Sequence, residues 1–269
     1  MKGKITILLS VLAALTGNLR AESLRALSTD RPDQTESPFT VDAGHAQLEM
    51  DLVTVTRDTD RSGGGNVRTT EHSWAPFNLK YGVTADTGLH LMFDPLVRVE
   101  TEDRVAGTTQ RESGAGDVTI RLKHNLWGND GGPTAFGLLP WVKLPLSGSE
   151  VRNGKTEFGL ILPYAVELSG GWGMGAQVGI ARVRDDNLET VTSGVVSVVC
   201  GRDVTDSLGV YLEIFAQTDS GPDAHWQVQF DCGLTYVVNA NLQFDAGCNF
   251  GVTKAAPDWQ PFVGISRRF

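Results

Sequence analysis

Charged side chains recur along this chain at two-residue steps, a spacing that lines a surface more readily than it builds a catalytic centre. Lys80, Arg98, Arg121, Lys123 and Lys143 alternate with apolar neighbours in the first half. Glu157, Glu167, Glu213, Asp231 and Asp245 do the same in the second half. Glu49, Asp51, Asp94 and Asp117 interrupt the basic series, so the separation by sign is partial. On two facing walls these groups would set up a transverse field that orients polar or zwitterionic solutes. In a narrow space they would instead pair with one another and fill it.

Catalytic chemistry has less support. His45, His72, His90, His124 and His225 are scattered, and His72-Ser73 has no Gly-x-Ser-x-Gly elbow around it. The sequence contains neither a His-x-x-x-His nor a Cys-x-x-Cys pair of the kind that holds a metal. Gly63-Gly64-Gly65 lacks the following Lys-Ser/Thr of a phosphate loop and reads as an exposed loop tip. No enzyme, metal or cofactor is expected.

The elements that must carry the charges are strands. Trp226, Val228, Phe230, Cys232, Leu234 and Tyr236 alternate with polar residues or glycine, and after a turn at Asn239-Ala240-Asn241 the pattern resumes through Leu242, Phe244, Ala246, Cys248 and Phe250. This is a β-hairpin signal. Its strands run about ten residues, against about five or six in globular proteins and about 9–11 for a strand that crosses a bilayer at a tilt. Similar alternation begins at His45 and continues to Phe269, giving about twelve strands. Residues 101–114 read as a long polar loop, and the facing of Thr190–Arg202 is ambiguous. Short turns near 83–87, 128–133, 169–171, 203–207 and 239–241 alternate with mostly longer connections, the asymmetry of periplasmic turns and outer loops. The expected fold is an all-β, antiparallel transmembrane β-barrel of about twelve strands, a single domain over residues 44–269. Aromatic residues at strand ends, Tyr211 among them, would form its interfacial girdles. A soluble β-sandwich is the rival, and it would ordinarily have shorter strands.

Lys2 and Lys4 precede an apolar run from Ile5 to Leu15, too short to span a membrane and suited to a signal-peptide core. Residues 1–21 are therefore expected to be a signal peptide cut after Ala21. Its removal takes away Lys2, Lys4 and Arg20, leaving 20 basic against 32 acidic residues and moving the formal charge from −9 to −12. So acidic a chain offers no basic patch for nucleic acid. Residues 22–43, with Pro32 and Pro38 and no periodicity, read as an extended periplasmic leader. Cys200, Cys232 and Cys248 do not make a disulfide framework; they read as small outward-facing hydrophobes, with a Cys232–Cys248 bridge between neighbouring strands as the alternative in an oxidising periplasm.

The last strand closes on Phe269, an ending that resembles the assembly signal of bacterial outer-membrane barrels. Thr29-Asp30-Arg31-Pro32, Gln47-Leu48-Glu49, Gly114-Ala115-Gly116-Asp117, Asp203 to Glu213, Gly233 to Tyr236, Asn241 to Gly247, and Phe262-Val263-Gly264 with Arg268-Phe269 together resemble the "MetA-pathway of phenol degradation" family of outer-membrane proteins. The resemblance covers nearly all of the chain after residue 21. It implies a transporter-like barrel in the outer membrane of a Gram-negative cell, in contact with lipid and with the barrel-assembly machinery. Asp30 and Arg31 belong to the shared leader and are expected to dock in the periplasmic mouth, against Glu49 or Arg268. The resulting expectation is a channel passing small molecules, aromatic or phenolic compounds among them, by passive diffusion. A closed structural or adhesive barrel is the alternative, and a membrane-embedded hydrolase the weaker one.

Overall fold

Alternation of apolar and polar residues over ten or more positions yields strands long enough to cross a bilayer. The computed structural model describes residues 24–145, 151, 154–185, 189–221 and 224–269. The expected signal peptide lies outside the described residues. Fifteen strand segments follow one another: β1 (Ala46–Asp60), β2 (Val67–Trp74), β3 (Phe77–Gly82), β4 (Thr87–Phe93), β5 (Leu96–Asp103), β6 (Thr108–Gly114) and β7 (Val118–Trp127). The second half contributes β8 (Thr134–Leu144), β9 (Glu157–Glu167), β10 (Trp172–Arg184), β11 (Thr190–Asp203), β12 (Leu208–Asp219), β13 (Gln227–Asn239), β14 (Leu242–Gly251) and β15 (Trp259–Arg268).

All pairings between these segments are antiparallel, and β15 pairs with β1 to close the sheet. Three neighbouring strands are interrupted at one level. Ala75-Pro76 separates β2 from β3, Asp94-Pro95 separates β4 from β5, and residues 115–117 separate β6 from β7. Phe77 opposite Phe93, and Phe93 opposite Val118, place the three breaks side by side. Pro76 and Pro95 have no N–H for the ladder, and Ala75 takes φ +54°. Each interrupted pair is one strand with a bend in it, so the barrel has twelve strands.

The stretch 101–114 differs from the sequence reading: residues 101–103 complete β5 and Thr108–Gly114 forms β6, rather than one long loop. Val67–Trp74 extends the first hairpin beyond the breaks. β6 is exposed on nearly every residue. With no buried face, it has no apolar alternation to read.

The outer surface of the barrel is apolar. Val178, Ile180 and Leu212 are each more than half exposed, and Leu91, Leu122, Leu234, Phe244 and Val263 face the same way. A soluble protein rarely exposes so continuous an apolar surface, whereas a lipid-facing band requires one. Inside, the buried side chains are largely polar or charged, including Gln47, Glu49, Lys80, Lys123, Glu213, Asp231 and Asp245. A sandwich would bury apolar faces instead. The three cysteines are free. Cys232 and Cys248 oppose each other across β13 and β14. Trp127, Trp172 and Tyr236 are exposed near the short-turn end, as girdle residues would be. Tyr211 differs from that expectation: it is 7% exposed and lies on the lumenal parity of β12, with Glu213.

Candidate functional site: the plugged lumen

The leader threads the lumen. It starts at the short-turn end, where Arg25 pairs with Asp130 at 2.8 Å and donates to the Ala85 carbonyl. Inside, the Ser28 carbonyl accepts from Gln47, and the Asp30 N–H donates to Glu49. Gln34 donates from its backbone to Glu213 and from its side chain to Gln229 and Asp231. The Thr35 hydroxyl meets Glu213 and Ser197. Gln177 of β10 accepts from the Glu36 N–H and donates to the Gln34 carbonyl. The chain then returns past Asn125, which donates to the Pro38 carbonyl, and Asn129, which accepts from the Thr40 N–H. A chain without periodicity satisfies its backbone here by bonding to wall side chains, as buried polar groups must.

Ion pairs lock it. The Asp30 carboxylate lies between the ammonium groups of Lys80 and Lys123, and Lys80 also holds Glu49. The Glu36 carboxylate pairs with Arg121. Arg31 bridges Asp51 and Asp245, each at 2.6 Å. Asp51 and Asp245 both lie opposite Gly264 of β15, so the guanidinium rests over that glycine. A Cβ at Gly264 would stand 2.1 Å from Arg31 Nη2. Glycine here opens the space that the docked arginine occupies.

The ten charged residues expected in the lumen therefore separate. Lys80, Arg121, Lys123, Glu213, Asp231 and Asp245 converge on the leader. Lys143 and Glu157 pair with each other across β8 and β9. Glu167 is exposed, bordering the cavity at the short-turn end. Arg98 does not join the lumen: its side chain is 49% exposed and pairs with Glu100, while its neighbour Val97 is buried. The break at Asp94-Pro95 shifts the strand phase by one residue and sends Arg98 to the other face. In the leader, the Asp30 N–H donates to Glu49, and Arg31 meets Asp51 and Asp245, deeper in the lumen. Arg268 stays at the mouth, pairing with Asp42 and donating to the Arg25 carbonyl. Phe269 is exposed, and its N–H donates to the Ala46 carbonyl.

Sequence reasoning missed the opposite wall. On β8 to β12 the lumenal positions include Ala135, Leu139, Trp141, Ile161, Val195, Val199 and Phe215. β11 carries valines on both faces, with Ser193 and Ser197 among its lumenal residues, which is why its facing was ambiguous. Two cavities lie along this wall, separated by the leader. One, of about 470 Å³, opens toward the short-turn end and is bordered by Phe39, Met174, Val199 and Tyr211. The other, of about 400 Å³, lies toward the long loops and is bordered by Trp141, Ile161, Val195 and Phe215. Asp33 and Glu36 border both.

The described histidines lie apart from one another. His72 stacks on Trp74 in the extended sheet, His124 bonds to Thr87, and His90 is buried opposite Lys80 and Arg121. Among the described residues, no cluster of His, Cys, Asp or Glu could hold a metal ion.

A family model described as "Putative MetA-pathway of phenol degradation" matches residues 29–269, from the leader's Thr29 to the final Phe269. The chain belongs to this family. Its members' shared region therefore includes the segment that fills the lumen. Among solved structures, an outer membrane channel from Pseudomonas putida F1 superposes with a TM-score of 0.65 at 13% identity, covering 90% of this chain and 100% of that one. The transport unit of the autotransporter AIDA-I from Escherichia coli gives 0.58 at 10% identity, covering 96% and 97%. The translocator domain of the autotransporter NalP from Neisseria meningitidis gives 0.55 at 10% identity, covering 83% and 88%. At these identities the likeness is one of fold; the closed barrel with its apolar outer surface places the protein in the outer membrane. No curated protein matches the sequence.

Proposed function

We propose that this member of the MetA-pathway family is a passive outer-membrane channel for small molecules, aromatic or phenolic compounds among them, and that its leader is the plug. The observation that carries this reading is the pair of cavities on either side of the strap formed by Asp33 to Glu36. Both follow the larger apolar side chains of β8 to β12, so displacing the strap joins them into one path. Their volumes suit small ligands, whose sites span about 300–1,000 Å³. The polar wall and the leader's complementary charges support a lumen that also handles a polar or zwitterionic group. Phe269 would serve recognition by the assembly machinery.

The density of ion pairs favours a second reading, a closed structural barrel whose lumen is filled for good. Uptake of labelled aromatic acids, phenols, amino acids and sugars into proteoliposomes separates the two. The channel reading expects uptake of aromatic solutes, faster when residues 22–38 are deleted. No uptake of any solute through a folded, leader-deleted barrel would leave the closed reading in place.

A further inference from the structure

The cavity toward the long loops has an uneven chemistry. Trp141 on β8, Ile161 on β9, Val195 on β11 and Phe215 on β12 give its walls their bulk, Gln177, Ser193 and Gln217 add polar groups, and Arg121 of β7 meets it at the level of the leader. Arg121 is the direct cross-strand neighbour of Trp141. Its Nη1 donates to the Glu36 carboxylate, whereas its Nε has no hydrogen-bond partner and is shielded from solvent. The guanidinium is thus a planar fork held by a single prong. A guanidinium binds a carboxylate best through two parallel N–H donors. An unpaired donor in a buried site is costly.

We propose that this cavity binds aromatic monocarboxylates, with the carboxylate on Arg121 in place of Glu36 and the ring between Trp141 and Phe215. The inference rests on the lumen being the solute path. The exchange is neutral in charge, since one carboxylate replaces another on the same guanidinium. Asp33 also borders the cavity, and three further acids at this level have partners. Asp30 is held by Lys80 and Lys123, and Glu213 and Asp231 accept from Gln34 and Thr35 of the leader. Displacing Glu36 also frees one anchor of the strap that separates the two cavities, so binding from outside loosens the plug. An aromatic amine would find Arg121 opposing it, and a phenol would leave the fork unfilled.

The test is calorimetric titration of the purified, detergent-folded full-length protein with benzoate, benzylamine and phenol at neutral pH, with heat-modifiable gel mobility confirming folding of every variant. Benzoate should bind saturably and more tightly than the other two. Glu36→Gln should tighten benzoate roughly tenfold, as removal of one charge-assisted competitor implies. Arg121→Gln should weaken it by at least as much, and Arg98→Gln, remote from the cavity, should leave it unchanged. Benzylamine binding as tightly as benzoate, or full affinity retained in folded Arg121→Gln, would overturn the proposal. Liposome flux of neutral solutes is measured in parallel. Benzoate binding without flux would refute the channel while leaving this site, and flux without benzoate binding would refute this site alone.

Discussion

Arg31 and Asp245 stand 214 residues apart in the sequence, and their side chains meet at 2.6 Å inside the barrel. The first belongs to a segment with no secondary structure and the second to a membrane-crossing strand. Their contact seats the leader inside the lumen. Asp51 completes the site, and Gly264 beneath it leaves room for the guanidinium.

Gly264→Ala tests that fit. One methyl group at Gly264 would overlap Nη2, Cζ and Nε of Arg31 and push the guanidinium off both carboxylates. The barrel should still fold, because β15 keeps its ladder partners. Single-channel conductance should rise toward that of a leader-deleted protein, while a conductance equal to wild type would mean Arg31 is not an anchor.

Asp30 occupies a space between two buried ammonium groups, Lys80 and Lys123, and Lys123 is 0% exposed. Removing one partner of a buried pair costs about 3–5 kcal/mol. In Asp30→Asn the leader can relieve much of that cost by withdrawing. Cleavage after Glu36 by a Glu-specific protease should then speed up by roughly tenfold or more. Equal cleavage rates in the two proteins would count against the lock.

Asp33 and Asp30 impose opposite pH dependences on docking. Burial, reinforced by the neighbouring Glu213 and by Asp30 and Glu36, holds Asp33 well above the ordinary carboxylate range. Tyr211 faces it from β12. Burial alone would also raise Asp30, but the ammonium groups of Lys123 and Lys80 outweigh it and hold Asp30 well below that range. A carboxyl raised on docking favours the plug at low pH. Its contribution fades as pH climbs from about 3.9, the free value, through the raised docked value. The Asp30 contribution is present above about 3.9 and is lost only as pH falls through its depressed value. From about pH 4 upward, conductance should therefore increase with pH, and Asp33→Asn should flatten the rise. A profile unchanged by Asp33→Asn would assign the dependence elsewhere.

The lipid face makes its own prediction. Val178 lies near the middle of β10 and is more than half exposed. Val178→Arg should destabilise the folded barrel by about 2–4 kcal/mol, the cost of a basic residue at the bilayer midplane. Urea-induced unfolding in lipid vesicles measures this, and a change under about 1 kcal/mol would place Val178 near an interface instead.

Much of this was legible in residue spacing. The carboxy-terminal hairpin shows its lumenal face directly, since Asp231 and Asp245 alternate with Phe230, Cys232, Phe244 and Ala246, and the structure buries both aspartates. Arg98 was misplaced because phase cannot be carried through a proline break, where one residue changes face without changing the pattern's appearance. Val191, Val195 and Val199 gave no facing because their strand has apolar residues on lipid and lumen alike. β6 was hidden by its exposure on both sides. The partners of Arg31 were beyond reach, since no periodicity links a leader to the wall it crosses.

The central claim is that the leader closes a path through this barrel. Single-channel recording in planar bilayers, comparing full-length protein with a variant lacking residues 22–38 and shown to be folded, tests it most directly. The account predicts a low-conductance full-length protein and a conductance at least several-fold higher once the leader is gone. Identical conductances, or none in either protein, would contradict it.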